Sequence, residues 1–415
     1  MKEKALLVTV NITEPKKIDD PSAWTPKQRA EELQSLAISS GAEVIDNVII
    51  NRKDITPALY IGKGKVHEFS LYVEEKDIDI IIFNNELSGT QQRNIEADVN
   101  TKVIDRTQLI LDIFAKRALS NEGKVQVELA QLSYMLPRLS DKGLELSRQG
   151  GGIGTRGPGE QKLEVDKRRI SERIAILKKE LDNIKKQRAT SRKRRAQNSL
   201  LNVSIVGYTN AGKSTLLNKL TNSDVLAQDK LFCTLDPTVR ALTLPNNLVV
   251  TLSDTVGFVD RLPHHLIDAF KATLEEVVEA DLIIHVIDSS DPKVVQYRKA
   301  VNDVLKELQA DEKPTITVFN KIDKIVELPY ADKKEKIVYL SALEGKGIDV
   351  LLKRIEENIA QDLTKITITV DQANMKAINF IFEHANIISK DYKDNDIICN
   401  IQISHPALAQ LKKLL

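Results

Sequence analysis

The sequence predicts an α/β protein that is divided into four domains. Its 415 residues exceed what one hydrophobic core usually serves. Short β-branched runs alternate with helical patterns near the N-terminus, and two long amphipathic patterns follow. We expect a small parallel α/β domain over residues 1–118, an antiparallel helical hairpin over 119–197, a mixed six-stranded sheet with helices over 198–363, and a small α+β domain over 364–415.

The composition predicts a soluble, cytoplasmic protein. The two cysteines, Cys233 and Cys399, are far apart, and no apolar signal-like run follows MKEKALLVTVNITEP. No apolar run reaches the roughly 18 residues that a membrane-spanning helix needs. The net charge is +1, but residues 162–195 contain 14 Lys or Arg and only 5 Asp or Glu. This basic segment predicts contact with a polyanion, and a solvated helix face is the alternative.

The first domain alternates strands and helices, which favours a parallel sheet with crossover helices. Strands are expected at residues 5–11, 43–51 and 78–84, and helices near 26–40 and 64–76. The run TKVIDRTQLILDIFAKRAL adds a short strand and a helix that ends near residue 118.

Two helical patterns with facing apolar stripes predict the hairpin, because apolar residues recur every three or four positions. The second helix, from about residue 161 to 195, would extend roughly 50 Å at 1.5 Å per residue. The stripes consist of Val125, Leu129, Leu132 and Leu136 in the first helix and Ile170, Ile174, Leu177, Leu181 and Ile184 in the second.

The stretch RQGGGIGTRGPGE, residues 148–160, lies at the tip of this hairpin and contains G-x-G-x-x-G. A dinucleotide site needs a buried strand ahead of that pattern. The preceding segment KGLELSRQ is polar, and Pro158 interrupts entry into the helix. Exposed glycine amides suit close approach to RNA or to another backbone. A flexible linker is the alternative, but it would not need Arg148 and Arg156.

The stretch GYTNAGKS carries the strongest chemical signal. Gly207, Gly212, Lys213 and Ser214 match G-x-x-x-x-G-K-S between an apolar strand and a helical pattern. Backbone amides that converge at a helix N-terminus bind phosphates, the lysine adds a cation, and the hydroxyl can bind Mg²⁺. The sequence therefore predicts a nucleoside triphosphate site with Mg²⁺.

Two further strand ends select the nucleotide. LVVTLSDTVGF brings Asp254 to a strand end, where it can hold Mg²⁺ through water, and Gly257 can donate an amide to the γ-phosphate. ITVFNKID ends in Asn320, Lys321 and Asp323. Guanine presents two adjacent donors that a carboxylate accepts, whereas adenine presents an acceptor at N1. Asp323 therefore indicates guanine and disfavours a nucleotide-transferring kinase, Asn320 would join the base-reading loop to the phosphate loop, and amides near residues 341–343 would meet guanine O6.

The loop KLFCTLDPTVR offers two threonines for Mg²⁺ and the γ-phosphate, Thr234 and Thr238. We favour Thr234 because it precedes Pro237, which stiffens the approach to the next strand. Phe258 follows Gly257 at the position where many small GTPases carry a glutamine that orients the attacking water. Phenylalanine cannot orient water, so we expect slow intrinsic hydrolysis and a site that a partner or another residue completes.

Across nearly its full length, the chain resembles the HflX family of ribosome-associated translational GTPases. The resemblance rests on GGGIGTRGPGE before a basic helix and on GYTNAGKS, FCTLDPTVR, DTVGF, NKID and SAL. It rests as well on PALYIGKGKV, LILDIFAKRA and VQVELAQLSYMLPRL. The family has been discussed as binding ATP through its N-terminal domain. In YIGKGKV we favour contact of Lys63 and Lys65 with RNA phosphates, because the Walker spacing is absent.

The resemblance implies a cytoplasmic GTP hydrolase, monomeric when free, that binds the large ribosomal subunit and its rRNA and splits stalled or idle 70S ribosomes. A GTP-regulated RNA-binding module without splitting is the alternative. The implied Mg²⁺ ligands are Ser214 and Thr234, and the implied RNA contacts at the tip are Arg148, Gly154, Thr155, Arg156 and Gly157. The implied GTP-binding residues are Gly207, Tyr208, Thr209, Asn210, Ala211, Gly212, Lys213, Ser214, Phe232, Cys233, Thr234, Leu235, Asp236, Asp254, Thr255, Val256, Gly257, Asn320, Lys321, Ile322, Asp323, Ser341, Ala342 and Leu343.

Overall fold

The structure is a computed structural model that falls into two compact units. It describes residues 2–13, 22–149, 158–197, 201–221, 231–232, 238–246, 248–261, 270, 274–328, 336–360, 363–393 and 395–415. The first unit comprises Met1–Asp182, Lys230–Leu235 and Arg261–Lys271, and the second comprises Asn183–Asp229, Asp236–Asp260 and Ala272–Leu415.

The first unit contains a four-stranded sheet with helices. Its strands are β1 (Lys4–Ile12), β2 (Glu43–Arg52), β3 (Ile80–Phe83) and β4 (Lys102–Asp105). Its helices are α1 (Pro26–Ser40), α2 (Lys63–Lys76), α3 (Gly89–Val99) and α4 (Arg106–Arg117). The sheet order is β2-β1-β3-β4, and all pairs are parallel. All of β3 and six consecutive residues of β1 are buried, as expected for a parallel sheet covered on both faces.

Helix α3 has no counterpart among the predicted elements. It contains only two large apolar side chains, Ile95 and Val99, and both are buried. Its apolar periodicity is therefore weak. The available signal is a capping box at its start. Gln91 N donates to Ser88 Oγ at 3.2 Å, and Ser88 N donates to the Gln91 side chain at 3.0 Å.

The predicted hairpin consists of two helices, α5 (Asn121–Gln149) and α6 (Pro158–Gln197). Arg173 forms a two-point ion pair with Glu128 at 2.6 and 2.8 Å, and Asn121 Nδ2 donates to Glu180 at 3.2 Å. Seven residues forward on α5 thus correspond to seven residues backward on α6, which is an antiparallel register. Buried members of the predicted stripes are Val125, Leu129, Leu177 and Leu181.

Arg138 anchors α5 to the sheet of the first unit. Its guanidinium donates to Asp105 Oδ2 at 3.1 Å and to Leu87 O at 2.7 Å, and it lies over the Tyr134 ring, 3.4 Å from the centroid. Asp105 is fully buried and caps α4 by accepting from Gln108 N at 2.9 Å. Burial raises the pKa of Asp105 above its ordinary value, and the hydrogen bonds and Arg138 oppose that shift.

The second unit contains the predicted mixed six-stranded sheet, in the order β10-β9-β8-β5-β7-β6. The strands are β5 (Leu201–Gly207), β6 (Thr238–Thr243), β7 (Val249–Asp254), β8 (Leu282–Asp288), β9 (Thr315–Asn320) and β10 (Ile337–Tyr339). Only the β6–β7 pair is antiparallel. The described helices include α7 (Lys213–Thr221), α8 (Val294–Glu307) and α9 (Ile348–Ala360).

The C-terminal segment forms a separate antiparallel sheet with two helices, in the predicted order of strand, helix, strand, strand and helix. These elements are β11 (Leu363–Asp371), α10 (Met375–His384), β12 (Ala385–Lys393), β13 (Asp396–Ser404) and α11 (His405–Leu414). The central strand is β13, and it pairs with β11 and with β12. Within the part of the chain that the structure describes, no helix is long and apolar enough to span a bilayer.

Candidate nucleotide-binding site

The phosphate loop joins β5 to α7, where the sequence predicts it. Gly212 has φ +93°, and a β-carbon there would collide with Asn320 Nδ2. A β-carbon on Gly207 would collide with the backbone oxygen of Val286 on the neighbouring strand β8. Asn210 has φ 63°, a left-handed conformation that asparagine tolerates better than most residues. Gly207 is therefore required by the close approach of a neighbouring backbone, and Gly212 by its positive φ and the buried Asn320 side chain. The loop leads directly into the N-terminus of α7.

Two side chains of the loop are held by hydrogen bonds to the loop backbone and to the end of β7. Lys213 is buried, and its Nζ donates to Tyr208 O at 2.9 Å. Ser214 Oγ donates to Asp254 Oδ2 at 2.6 Å. Asp254 is fully buried at the end of β7. The structure thus brings together a hydroxyl and a carboxylate that the sequence predicts as neighbours of Mg²⁺.

The segment after β7 lies against the phosphate loop through backbone hydrogen bonds. Thr209 N donates to Phe258 O at 2.8 Å, and Phe258 N donates to Gly207 O at 3.1 Å. A β-carbon on Gly257 would lie 2.8 Å from Thr209 Cγ2 and 3.0 Å from Lys213 Nζ. The Phe258 side chain is 1% exposed, so its ring is part of the core and offers no polar group to a water molecule.

Asn320 links the phosphate loop to the base-reading segments, as the sequence predicts. Its Nδ2 donates to Ala211 O at 2.9 Å, and its Oδ1 accepts from Ala342 N at 2.9 Å. Asn320 is 2% exposed, so both hydrogen bonds are shielded from water. One side chain therefore fixes the relative position of two loops that are more than 100 residues apart in sequence.

Asp323 and Lys321 lie beyond the end of β9, each held by one partner. Ser341 Oγ donates to Asp323 Oδ1 at 2.5 Å, and this hydrogen bond holds the pKa of Asp323 below its ordinary value. The Asp323 carboxylate is therefore ionised and able to accept from a donor pair. Lys321 has φ 64°, and its Nζ lies 2.7 Å from Asp288 Oδ2. Both side chains are oriented by neighbours on adjacent segments.

Four family profiles match successive stretches of the chain. Residues 202–321 match a family profile described as 50S ribosome-binding GTPase, and residues 328–415 match the HflX C-terminal domain. Residues 27–115 and 117–195 match the N-terminal and middle regions of GTP-binding GTPases. A GTPase HflX from Caldanaerobacter subterraneus subsp. tengcongensis is 46% identical over 97% of this chain and 91% of its own length. The chain belongs to the HflX family of GTPases.

The chain is also similar to a second HflX relative and to a solved GTP-binding protein. GTPase HflX of Escherichia coli is 40% identical over 97% of this chain and 94% of its own length. A solved GTP-binding protein from Sulfolobus solfataricus in complex with GDP is 26% identical, with a TM-score of 0.44, and the match covers 87% of this chain and 99% of that one. As an HflX-family member, the chain is a P-loop GTPase that hydrolyses GTP, and it belongs to the ribosome-binding GTPases.

Several predicted HflX site residues lie outside the described part of the chain. These are Cys233, Thr234, Leu235 and Asp236 of the switch loop and Gly154, Thr155, Arg156 and Gly157 of the tip. Arg148 lies within α5, and nothing is described of its side chain. The alternative threonine, Thr238, begins β6.

Phe232, predicted to bind GTP, is buried within the first unit. Its ring centroid lies 4.6 Å from that of Phe114 on α4, and Phe270 packs on the same ring at 4.7 Å. Phe232 has φ 57° and is 2% exposed. Its side chain is therefore part of the core of the first unit and is not exposed to a ligand.

Sequence reasoning missed three residues that support the HflX site. Asp288 pairs with Lys321, and Ser289 N donates to Asn320 O at 3.0 Å. Tyr297 stacks on Tyr208 of the phosphate loop, with centroids 4.1 Å apart. The available signal was the polar run DSSD directly after the apolar strand β8, which resembles the ends of β7 and β9.

Proposed function

We propose that this HflX-family GTPase binds the large ribosomal subunit and uses GTP binding and hydrolysis to split stalled or idle 70S ribosomes into subunits. Membership of the family accounts for ribosome binding and GTP hydrolysis, and splitting is the proposed addition. The observation that supports a switch-driven action is that the phosphate loop is hydrogen-bonded to two other segments. Asn320 joins it to Ala342, and the Phe258 backbone joins it to the segment after β7. The γ-phosphate would contact the phosphate loop and the switch segments but not the base-reading segments. Its loss would therefore change the conformation of the switch segments.

The proposed GTP contacts follow from these positions. Amides of residues 207–214 cradle the phosphates, and Lys213 exchanges its bond to Tyr208 O for phosphate oxygens. Asp323 accepts from guanine N1–H and N2–H₂. Lys321 lays its stem along the base while Asp288 holds its ammonium group. Residues 341–343 present amides toward O6, and Phe232 to Asp236 complete the set of proposed GTP contacts.

The residues around the phosphate loop fit a magnesium ion. Mg²⁺ prefers hard oxygen ligands together with substrate phosphates, and Ser214 Oγ and the Asp254 carboxylate supply such oxygens at one point. We propose Ser214 and Thr234 as direct ligands and Asp254 as a ligand through water. When bound, the ion would neutralise charge on the β- and γ-phosphates. The hydrogen bond between Ser214 and Asp254 orients both side chains toward the same point.

Hydrolysis in this protein requires a group that the phosphate loop does not supply. Phe258 is buried and apolar, so it cannot position a water molecule in line with the γ-phosphate. An added catalytic group is worth about 10³- to 10⁵-fold in GTPases. We propose that the ribosome supplies or orders this group. Fast phosphate release by the isolated protein would contradict this proposal.

The hairpin is the proposed arm that reaches rRNA. Helix α6 has 40 residues and is about 60 Å long at 1.5 Å per residue. The surplus of basic residues over 162–195 suits phosphate contacts, which make binding fall steeply with salt. The predicted tip contacts, Arg148 and residues 154–157, would approach a single-stranded or folded RNA element.

Light scattering separates splitting from binding alone. Purified protein is mixed with 70S ribosomes and GTP, a nonhydrolysable analogue or GDP. Splitting predicts a fall in scattering with GTP and the analogue but little change with GDP. An Arg156→Ala variant should reduce this fall, and its GDP affinity is measured in parallel to verify folding. Co-sedimentation with ribosomes at constant scattering would favour the alternative, a GTP-regulated binding module.

A further inference from the structure

A cavity lies in the second unit, between α8 and the strands β8 and β9. Its volume is about 550 Å³. His285 of β8 and Thr317 of β9 are paired in register, so their side chains lie side by side on the sheet face below α8. Arg298 and Lys306 of α8 line the opposite wall, and Lys336, directly before β10, closes one side.

This cavity is separate from the nucleotide site. The described residues of this unit that are proposed to bind GTP lie at or beyond the carboxyl ends of β5, β7, β9 and β10. The cavity reaches Pro314, Thr315 and Lys336, which lie at the amino ends of β9 and β10. None of the residues that line the cavity belongs to the predicted GTP-binding set. A ligand in the cavity would therefore not compete with GTP for the same atoms.

The cavity walls carry excess positive charge. Among the described residues that line it, three are basic, Arg298, Lys306 and Lys336, and one is acidic, Asp311. Lys336 Nζ donates to the neutral amide of Asn358, so this hydrogen bond does not cancel its charge. The walls are thus complementary to a small anion with two or more negative charges.

His285 provides an independent observation. It is 3% exposed, and among the described residues its Nε2 has no hydrogen-bond partner. Burial, then Arg298 and Lys213, lower the pKa of His285 from 6.5 to about 3. The ring is therefore neutral, with one nitrogen that donates and one that accepts. An anionic oxygen in the cavity would satisfy a donor at Nε2, which is otherwise costly to leave buried without a partner.

We propose that this cavity is a binding site for the phosphate group of a small phosphorylated molecule. Arginine and lysine together bind phosphate by a planar fork and a mobile point charge. The volume lies in the range of small-molecule sites, roughly 300–1,000 Å³, and exceeds what a phosphate alone would fill. A recess between one helix and two strands encloses a compact ligand better than it follows an RNA backbone.

The test uses inorganic phosphate as the probe and the full chain saturated with GDP and Mg²⁺, so that the phosphate loop is filled. Histidine is labelled with ¹³C, and the resonance of His285, one of six histidines, is assigned by its loss in His285→Gln. Phosphate should shift this resonance saturably. In Lys306→Gln and in Lys336→Gln, the dissociation constant should rise about tenfold each, as expected for one lost charge-assisted contact.

Lys299→Gln is the matched control, because Lys299 lies on the same helix, is exposed and does not line the cavity. Its phosphate affinity should equal that of the unaltered chain. An unchanged His285 resonance at saturating phosphate would overturn the proposal, as would binding that both cavity variants leave intact. A response to an RNA oligonucleotide without terminal phosphates, but not to phosphate, would also overturn it. No ribosome is present, so the outcome is independent of the proposed splitting function.

Discussion

Replacing Asn320 with alanine tests whether one side chain holds the nucleotide site together. The change removes the hydrogen bonds from Asn320 to Ala211 O and from Ala342 N, and both partner groups remain in a region shielded from water. Each unsatisfied buried group costs about 1–3 kcal/mol, and the two together about 2–4 kcal/mol after partial relaxation. If this cost falls on the nucleotide-bound state, GDP affinity drops roughly 30- to 1,000-fold.

The assay is a fluorescence titration with labelled GDP, accompanied by thermal unfolding of the nucleotide-free protein. Asn400→Ala is the matched control, because Asn400 bonds to Ser389 and Thr367 in the C-terminal sheet, away from the site. Its GDP affinity should equal that of the unaltered chain. A GDP affinity of Asn320→Ala within twofold of the unaltered chain would refute the reasoning that this link positions the two loops.

Three further predictions concern other contacts. Asp323→Asn should weaken GDP binding at least about 100-fold, because it replaces an acceptor pair for guanine by a donor and an acceptor, and titration with GDP measures this. Arg138→Ala should lower the free energy of unfolding by about 2–3 kcal/mol in urea titrations, because it leaves Asp105 buried without its cation. Because the pKa of His285 is lowered to about 3, the unfolded chain binds more protons there between pH 6.5 and 3, so stability falls as pH falls through that window. In His285→Gln, the melting temperature should depend less steeply on pH over the same range.

The sequence predicts the backbone geometry around the candidate nucleotide site because its motifs encode local conformation. Gly207 is required by close backbone approach and Gly212 by its positive φ, and each predicted motif follows a strand that periodicity identifies. The same strands run parallel in one sheet, so their carboxyl ends meet at one edge, and Asn320 reaches the phosphate loop across it. The four strands of the parallel sheet, the hairpin and the order of elements in the C-terminal sheet are confirmed, because each has a clear apolar pattern in the sequence.

Features that depend on tertiary packing were not predictable. Helix α3 has only two large apolar side chains, Ile95 and Val99, which are too few to produce a recognisable helical pattern. The burial of Phe232 depends on a pocket around Phe114, whose partners are distant in sequence. The basic cavity is formed only when α8 packs over His285 and Thr317. The proposed domain boundaries and site roles stay predictions.

The most direct measurement of the proposed function is a stopped-flow experiment that records light scattering and phosphate release in one mixture of protein, 70S ribosomes and GTP. We predict that scattering falls as subunits separate and that phosphate release is at least about 10³-fold faster than without ribosomes. Constant scattering, with phosphate release equal to that of the isolated protein, would contradict a ribosome-splitting GTPase.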